Sequence, residues 1–175
     1  EIFRDRLKEN HLSSQAKTFH QATGRFSIEC YKADMEYAFR TPGFGGFQLL
    51  DLQDYPGQGS ALVGILDAFM DSKGIVAPET FYGFCAPLVP LALMKDHCWL
   101  NTQPLHIDVA LSNYVEGDWN EPVRWSLVSD NGVWKRDGVL MASIPQGKVG
   151  KAGSIDLSLS GLKEAQRLTL TLTTG

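Results

Sequence analysis

A cluster of polar side chains follows a short apolar run in the first half of the sequence. The run GFQLLDL, residues 46–52, gives way to QDYPGQG, residues 53–59. The first segment has the composition of a strand that is buried on both faces, and the second that of a loop that faces a ligand. The candidate binding residues of this segment are Asp51, Gln53, Asp54, Tyr55 and Gln58.

Two interpretations of Asp54 stay open from the sequence. Its carboxylate either contacts a ligand or organises the turn into Pro56 and Gly57, a role that Asp side chains commonly take. Asp51 is not expected to form a catalytic pair with it, because residues three apart in an extended segment point to opposite sides. Gly57 and Gly59 do not make a phosphate-binding loop, because the Lys-Ser/Thr ending of that motif is missing.

The residues that most often ligate metals or act as nucleophiles lack the spacing that these roles need. The three cysteines include no CxxC pair, so we expect buried free thiols. The four histidines show no metal-ligand spacing, and the sequence predicts neither a metal nor a cofactor. These residues are Cys30, Cys85, Cys98, His11, His20, His97 and His106.

The elements that position the polar cluster are mainly helical. Apolar residues recur every three or four positions in a predicted long helix over residues 13–41, which Pro42 ends. A weaker helix is predicted at residues 2–10. The run at residues 46–52 is predicted to be a parallel strand, and a helix is predicted at residues 60–74.

A further short helix is predicted to begin at Pro78. The order of helix, strand, polar loop and helix is one unit of an α/β architecture. In such folds ligands bind at the carboxyl end of the strand, where the polar cluster lies.

Strand-like alternation replaces the helical period after about residue 95. Turn sequences such as EGDWNEP, SDNG and KRDG separate the strands, as in an antiparallel sandwich. Trp125 alternates with apolar residues and is predicted to lie in the core, whereas Trp119, in a polar turn, is the best candidate for an exposed tryptophan. The alternating apolar residues include Leu105, Ile107, Val109, Leu111, Val123, Leu127, Ile155, Leu157, Leu168 and Leu170.

The predicted fold class is therefore α+β, with a mostly helical region at residues 1–95 and an antiparallel β-sandwich at residues 96–175. Composition is that of a folded domain, with 43% apolar and 21% charged residues among 175. The net charge of -4 argues against a nucleic-acid partner, and no apolar run has the length of a membrane span. The chain has no initiating Met, so we interpret it as a fragment, and we expect that the final edge strand of the sandwich is not included.

The stretch LLDLQDYPGQGSALVGILDAFMDSKG, residues 49–74, resembles a bacterial branch of glycoside hydrolase family 2, the β-galactosidase and β-glucuronidase superfamily. The resemblance implies that GFQLLDL is the last strand of a (β/α)8 barrel and QDYPGQG its active-site loop. The sandwich then resembles the immunoglobulin-like domain that follows the barrel in this group. It also implies a periplasmic or extracellular parent enzyme that removes terminal sugars from glycans.

The resemblance further implies that both catalytic glutamates of this retaining family precede Glu1. The fragment would then have no catalytic residue, and the polar cluster would bind glycan in the parent. Its partners would be the remainder of the barrel and, through pairing of residues 47–52, a second copy of the fragment. The alternative function is a non-catalytic module that binds carbohydrate or packs against another domain.

Overall fold

The computed structural model describes residues 2–58 and 62–175 of the chain. It is an α+β structure in which a helical region is followed by antiparallel sheets. The chain divides into two compact units. The first takes in Glu1–Met35 and Gly46–Cys85, and the second takes in Glu36–Gly45 and Ala86–Gly175.

The predicted helices at the start of the chain are confirmed. Helix α1 spans Ile2–Glu9 and helix α2 spans Ala16–Phe39. At the end of α2 the hydroxyl of Thr41 donates a 2.7 Å hydrogen bond to the carbonyl of Tyr37. This bond closes the last turn directly before Pro42, whose ring cannot continue a helix.

Two shorter helical segments complete the helical part of the described chain. A 3₁₀ turn at Ser13–Gln15 precedes α2, and helix α3 spans Pro78–Tyr82. Pro78 lies at the first position of α3, as predicted, where its missing N–H is not needed. None of the helices in residues 2–58 and 62–175 combines the length and the hydropathy that a bilayer crossing requires.

The strand predicted at residues 46–52 is wrong. Leu50 is 85% exposed, and residues 46–52 form no strand in the described part of the chain. The nearest pairing is an isolated parallel bridge between Gln53 and Leu66. An extended segment becomes a stable strand only when neighbours pair its N–H and C=O groups. The pairing of copies predicted through residues 47–52 therefore has no strand to build on.

The helix predicted at residues 60–74 is also wrong over its described part, residues 62–74, which forms turns instead. Oδ1 of Asp67 accepts hydrogen bonds from the amides of Phe69 and Asp71 at 2.8 and 3.0 Å. A side chain that binds its own neighbouring amides gives the backbone an alternative to the helix. The helical spacing of apolar residues is thus overridden locally.

The four predicted antiparallel strands of the second unit are confirmed, and together with two further strands they form two three-stranded sheets. One sheet has the order β1-β2-β5 and the other β4-β3-β6, with every pairing antiparallel. The strands are β1 Leu88–Leu93, β2 Pro104–Asn113, β3 Pro122–Ser129, β4 Lys135–Met141, β5 Lys148–Ser158 and β6 Leu168–Thr174.

The core of the second unit lies between the facing sides of its sheets. Val109 and Leu111 of β2 and Val123 of β3 are fully buried there, and Ile155 of β5 is nearly so. Alternation explains this, because every second residue of a strand points to the same face. Trp125 packs against this core, as predicted.

Two strands were not predicted. Strand β1 lies in the region where helical periods were expected, and KRDG, residues 135–138, begins β4 rather than a turn. Both are edge strands of their sheets as described in residues 2–58 and 62–175. Strand β4 begins with three charged residues, which an edge strand tolerates, so its sequence resembles that of a loop. Strand β1 contains Pro90, and proline in a sheet is confined to edge strands, so its sequence also reads as a break.

Candidate functional site

Asp54, one of the predicted binding residues, is held in a network inside the first unit. Its Oδ1 accepts a 2.9 Å hydrogen bond from the amide of Gly64 and a 2.7 Å bond from Nζ of Lys73. The same Nζ donates to the carbonyl of Gly64 at 2.8 Å. The side chains of Lys73 and Asp54 are only 15% and 11% exposed, so this ion pair is largely removed from water.

Gly64 is needed at this network because of a close approach between two backbones. A Cβ atom on Gly64 would overlap the carbonyl carbon of Gln53 and the amide nitrogen of Asp54. The amide of Asp54 donates to the carbonyl of Leu66 at 3.0 Å, which brings the two segments together. The network therefore fixes the polar cluster to the turn region that follows it.

The other four predicted binding residues have different surroundings. Asp51 is half-buried, and its charge adds to burial in raising the pKa of the Tyr31 hydroxyl. Gln53 and Gln58 are exposed. Tyr55 is 58% exposed, and its ring lies against Gly57.

Among the described contacts, those of Asp51 and those of Asp54 are with different residues. The exposed side chains of Gln53, Tyr55 and Gln58 are accessible to a ligand, whereas one oxygen of Asp54 is already bound twice. Asp54 organises its loop in this structure. Binding of a glycan by this cluster stays a prediction.

A second polar cluster, which sequence reasoning missed, lies on the outer face of sheet β1-β2-β5. Nδ1 of His106 is 2.6 Å from Oδ1 of Asp156, and its Nε2 is 3.6 Å from Oδ2 of Asp108. Oδ1 of Asp108 accepts 2.7 Å bonds from Nζ of Lys151 and from the hydroxyl of Ser154. The register of β2 with β5, which pairs His106 with Asp156, produces this cluster.

The pKa values in this cluster follow from its hydrogen bonds. The bond to Asp156, helped by the charges of both carboxylates, raises the pKa of His106 above its usual 6.5. The bonds from Lys151 and Ser154 lower the pKa of Asp108 to about 2. The Ser154 hydroxyl donates to a carboxylate rather than to the imidazole, so the cluster lacks the serine–histidine contact of a nucleophilic site.

An apolar cleft of about 780 Å³ opens between the sheets at one end of the sandwich. It is lined by Leu105 and Ile107 of β2, by Leu127 of β3 and by Leu168 and Leu170 of β6. Polar residues of the segments before β2 and before β6 also line it. Sequence reasoning assigned the apolar residues to one face of each strand and gave no signal of a cleft.

The four tryptophans of the sandwich all belong to its core or pack against it. Trp119 was predicted to be exposed, and this is wrong, because it is half-buried, packs against the core and donates from Nε1 to the carbonyl of Glu121 at 3.0 Å. Trp134 is buried, and Trp99 and Trp125 are half-buried against the same core. A turn with a polar sequence can therefore contain a tryptophan whose ring packs inward against the core.

The cysteines are free, but the prediction that they are buried is wrong for two of them. Cys30 and Cys98 are exposed, and Cys85 is half-buried with a pKa that burial raises. Within residues 2–58 and 62–175, no three His, Cys, Asp or Glu side chains come together as a metal site would require.

The sandwich has a counterpart among known protein families. Residues 103–175 match a family model described as a domain of unknown function (DUF8488). The match covers β2 to β6 and less than half of the chain. No curated protein matches the chain.

Proposed function

We propose that the chain is the C-terminal part of a family 2-like glycoside hydrolase, comprising the last segment of its catalytic barrel and the β-sandwich that follows. On this proposal the parent enzyme acts outside the cytoplasm on terminal sugars of glycans. The chain itself supplies no catalytic glutamate. The resemblance of residues 49–74 motivates the proposal, and one structural observation supports it.

That observation is the uncovered apolar surface of the first unit. Within the described residues its buried apolar side chains are Ile28, Met35, Ile65 and Phe84. So many exposed large apolar side chains beside so few buried ones favour another surface packing on this unit. A barrel that continued beyond this unit would cover it. The exposed apolar side chains are Ile2, Phe3, Phe19, Phe26, Phe47, Leu50, Leu52, Tyr55, Leu62, Val63, Phe69, Met70 and Tyr82.

The polar cluster has a defined role in this proposal. In the parent, Gln53, Tyr55 and Gln58 hydrogen-bond or stack on a bound sugar, while Asp54 holds their loop through Lys73. Asp51 contributes a second carboxylate on the same segment. The sandwich serves as a packing domain for the barrel, because its tryptophans are occupied in its own core.

The uncovered surface provides a structural test. Leu50 and Phe69 are each 85% exposed, so Leu50→Asp and Phe69→Asp should change the stability of this chain by less than about 0.5 kcal/mol. In the longer reading frame that contains the barrel, the same changes would bury a carboxylate and cost several kcal/mol. Val133→Asp is the matched control, because Val133 is also 85% exposed but lies in the sandwich.

The functional test uses the same longer protein. We expect it to hydrolyse an aryl glycoside with retention of anomeric configuration, and we expect Gln53→Ala to raise KM. A longer reading frame that has no such activity, or in which Leu50→Asp is as harmless as Val133→Asp, would reject the proposal.

A further inference from the structure

The apolar cleft of the sandwich lies where two loop segments meet. Strand β2 begins at Pro104 beside the end of β5 at Ser158, so the segment before β2 and the segment after β5 lie at the same end of their sheet. Nδ2 of Asn101 in the first segment donates a 2.8 Å hydrogen bond to the carbonyl of Leu162 in the second. This bond joins residues 61 positions apart and fixes the two segments to each other beside the cleft.

The cleft reaches side chains of the sandwich core. Leu105, Ile107 and Leu127 line it, and each of them is at most 3% exposed. Protein interiors are usually packed as densely as organic crystals, with few voids larger than a water molecule. A volume of about 780 Å³ is too large for a packing defect, and it falls within the range of roughly 300 to 1,000 Å³ of small-molecule pockets.

The apolar part of the lining is mainly aliphatic. Seven leucines line the cleft, together with Met94, Ile107 and the half-buried Trp99. An alkyl chain gains free energy when it leaves water for such a surface. The hydroxyl groups of a sugar would instead lose their hydrogen bonds to water without gaining partners from these side chains. The lining therefore favours a ligand with an alkyl body.

Charged side chains also line the cleft, and their balance is positive. Lys163 and Arg167 line it together with one carboxylate, that of Glu164, although the whole chain has a net charge of -4. Both cations are exposed, and the ion pairs of residues 2–58 and 62–175 include neither of them. The amide of Asp130 donates to the carbonyl of Arg167 at 3.1 Å, which anchors the backbone of this segment without using the guanidinium group.

We propose that this cleft binds a small amphipathic carboxylate, in which an alkyl chain of medium length ends in one carboxyl group. The alkyl chain lies along the core leucines, and the carboxylate lies beside Lys163 and Arg167, whose guanidinium group can bind it with two parallel hydrogen bonds. A monoanion suits the site better than a phosphate, because Glu164 reduces the balance of these three side chains to one positive charge. The inference does not depend on the proposed function, since every residue of the cleft belongs to the second unit.

Titration calorimetry with decanoate, below the concentration at which it forms micelles, tests the proposal. We expect one site per chain. Octanoate should bind about 15-fold more weakly, because each methylene group contributes about fourfold to the binding constant. Decylammonium has the same alkyl chain with a positive charge and should also bind more weakly. Decylammonium that binds as tightly as decanoate, or an unaltered chain that does not bind decanoate, would overturn the proposal.

The cations are tested by removal of their charge. Lys163→Gln and Arg167→Gln should each raise the Kd of decanoate about threefold, as expected for exposed ion pairs. Lys148→Gln is the matched control, because Lys148 is exposed at the opposite end of the ladder between β2 and β5, and it should leave the Kd unchanged. Equal effects of all three variants would mean that the overall charge of the chain, and not this site, attracts the carboxylate.

The position of the alkyl chain is tested by narrowing the cleft. Ala165 is exposed and lines the cleft, so Ala165→Trp should weaken decanoate binding more than tenfold while the urea midpoint of the sandwich is unchanged. Thr169→Trp, at an exposed position of β6 that does not line the cleft, is the control and should bind like the unaltered chain. In NMR spectra, decanoate should shift the amide signals of residues 99–105 and 159–170. Binding that persists in Ala165→Trp, or shifts confined to residues 2–58, would overturn the proposal, because the exposed apolar side chains of the first unit would then hold the ligand.

Discussion

Nζ of Lys73 lies 2.7 Å from Oδ1 of Asp54, although the two residues are 19 positions apart in the sequence. The pair connects the polar cluster to the end of the turn region. Because both side chains are largely buried, each charge has lost most of its hydration. The opposite charge of the partner compensates for that loss. Removal of either partner leaves a charge without compensation.

Asp54→Ala should lower the free energy of unfolding of the first unit by about 3 kcal/mol, because it leaves the buried ammonium of Lys73 without an opposite charge. All four tryptophans, Trp99, Trp119, Trp125 and Trp134, lie in the second unit. Urea unfolding followed by helical circular dichroism should therefore shift, while the tryptophan fluorescence transition stays in place.

The exposed pair of Arg6 and Glu9, 3.3 Å apart, is the control for that experiment. Glu9→Ala should change stability by less than about 0.5 kcal/mol, as is usual for surface ion pairs. In the double variant Asp54→Ala with Lys73→Met, the loss should be smaller than the sum of the single losses, because no buried charge remains. Equal effects of Asp54→Ala and Glu9→Ala would contradict a buried pair.

Gly64→Ala should destabilise the same region by more than about 2 kcal/mol, because the added methyl group overlaps the backbone of Gln53 and Asp54. Gly45→Ala is the control, since a Cβ there meets no atom within 4 Å. Hydrogen exchange at the amides of Asp54 and Leu66, which bond across the two segments, measures the effect. Unchanged protection in Gly64→Ala would disprove the close approach.

The sandwich was predictable because its signal is local. Alternation in β2 and β6 requires only that one face of each strand be apolar, so residues such as Val109 and Leu170 identify their elements without reference to the rest of the chain. The charged edge strand β4 and the proline-containing edge strand β1 were not predicted. An edge strand can carry charged residues or proline, and these interrupt the apolar alternation by which strands are recognised.

The region at residues 46–74 was not predictable for the opposite reason. An apolar run becomes a strand or a helix according to what packs on it, and Leu50 and Phe69 have little packed on them here. The contact of Asp54 with Lys73 and that of His106 with Asp156 join residues 19 and 50 positions apart. Neither separation produces a recognisable pattern in the sequence. Neither contact could therefore be predicted before it was known which segments lie next to each other.

The chain should show no glycosidase turnover above the buffer blank on a panel of chromogenic aryl glycosides. Retaining hydrolysis needs two carboxyl groups on either side of the scissile bond, and Asp51 and Asp54 face different neighbours. A rate that scales with protein concentration and disappears in Asp54→Ala would refute this expectation, whereas a rate unaffected by that change would indicate a contaminating enzyme.

Asn113→Ala should lower the free energy of unfolding of the sandwich by roughly 2 to 4 kcal/mol, because it removes the described partners of the Gly117 carbonyl and of the Val115 amide. The carbonyl of Ile144 loses one of two bonds and keeps the bond from the amide of Trp119. The fully buried Nδ2 donates to the carbonyls of Gly117 and Ile144 at 3.1 and 3.0 Å, and Oδ1 accepts from the amide of Val115. Tryptophan fluorescence during urea unfolding reports the change.

Asn120→Ala is the control, because Asn120 is exposed and its side chain contacts only the hydroxyl of Ser143 among the described hydrogen bonds. Its effect should stay below about 0.5 kcal/mol. Equal shifts in the two variants would mean that the side-chain amide of Asn113 does not join the loop after β2 to the segment that precedes β5.

The cluster of His106 should make the stability of the sandwich depend on pH. Because the folded-state pKa of His106 is raised above 6.5, its contribution is fully present below pH 6.5 and is lost as the pH rises through the folded value. The pKa of Asp108 is lowered from 3.8 to about 2, so its contribution is present above pH 3.8 and is lost as the pH falls towards about 2. Both contributions are present together between about pH 4 and 6.5.

An NMR titration of the His106 ring protons tests the origin of this window. Asp156→Asn removes the charge of the carboxylate that lies 2.6 Å from Nδ1, so it should lower the pKa of His106 towards 6.5. Asp137→Asn on strand β4 changes an exposed carboxylate of the other sheet and should leave the titration where it was. If the two variants moved the titration equally, general surface charge rather than the cross-strand bond would set the pKa, and the window of stability would not depend on the register of β2 with β5.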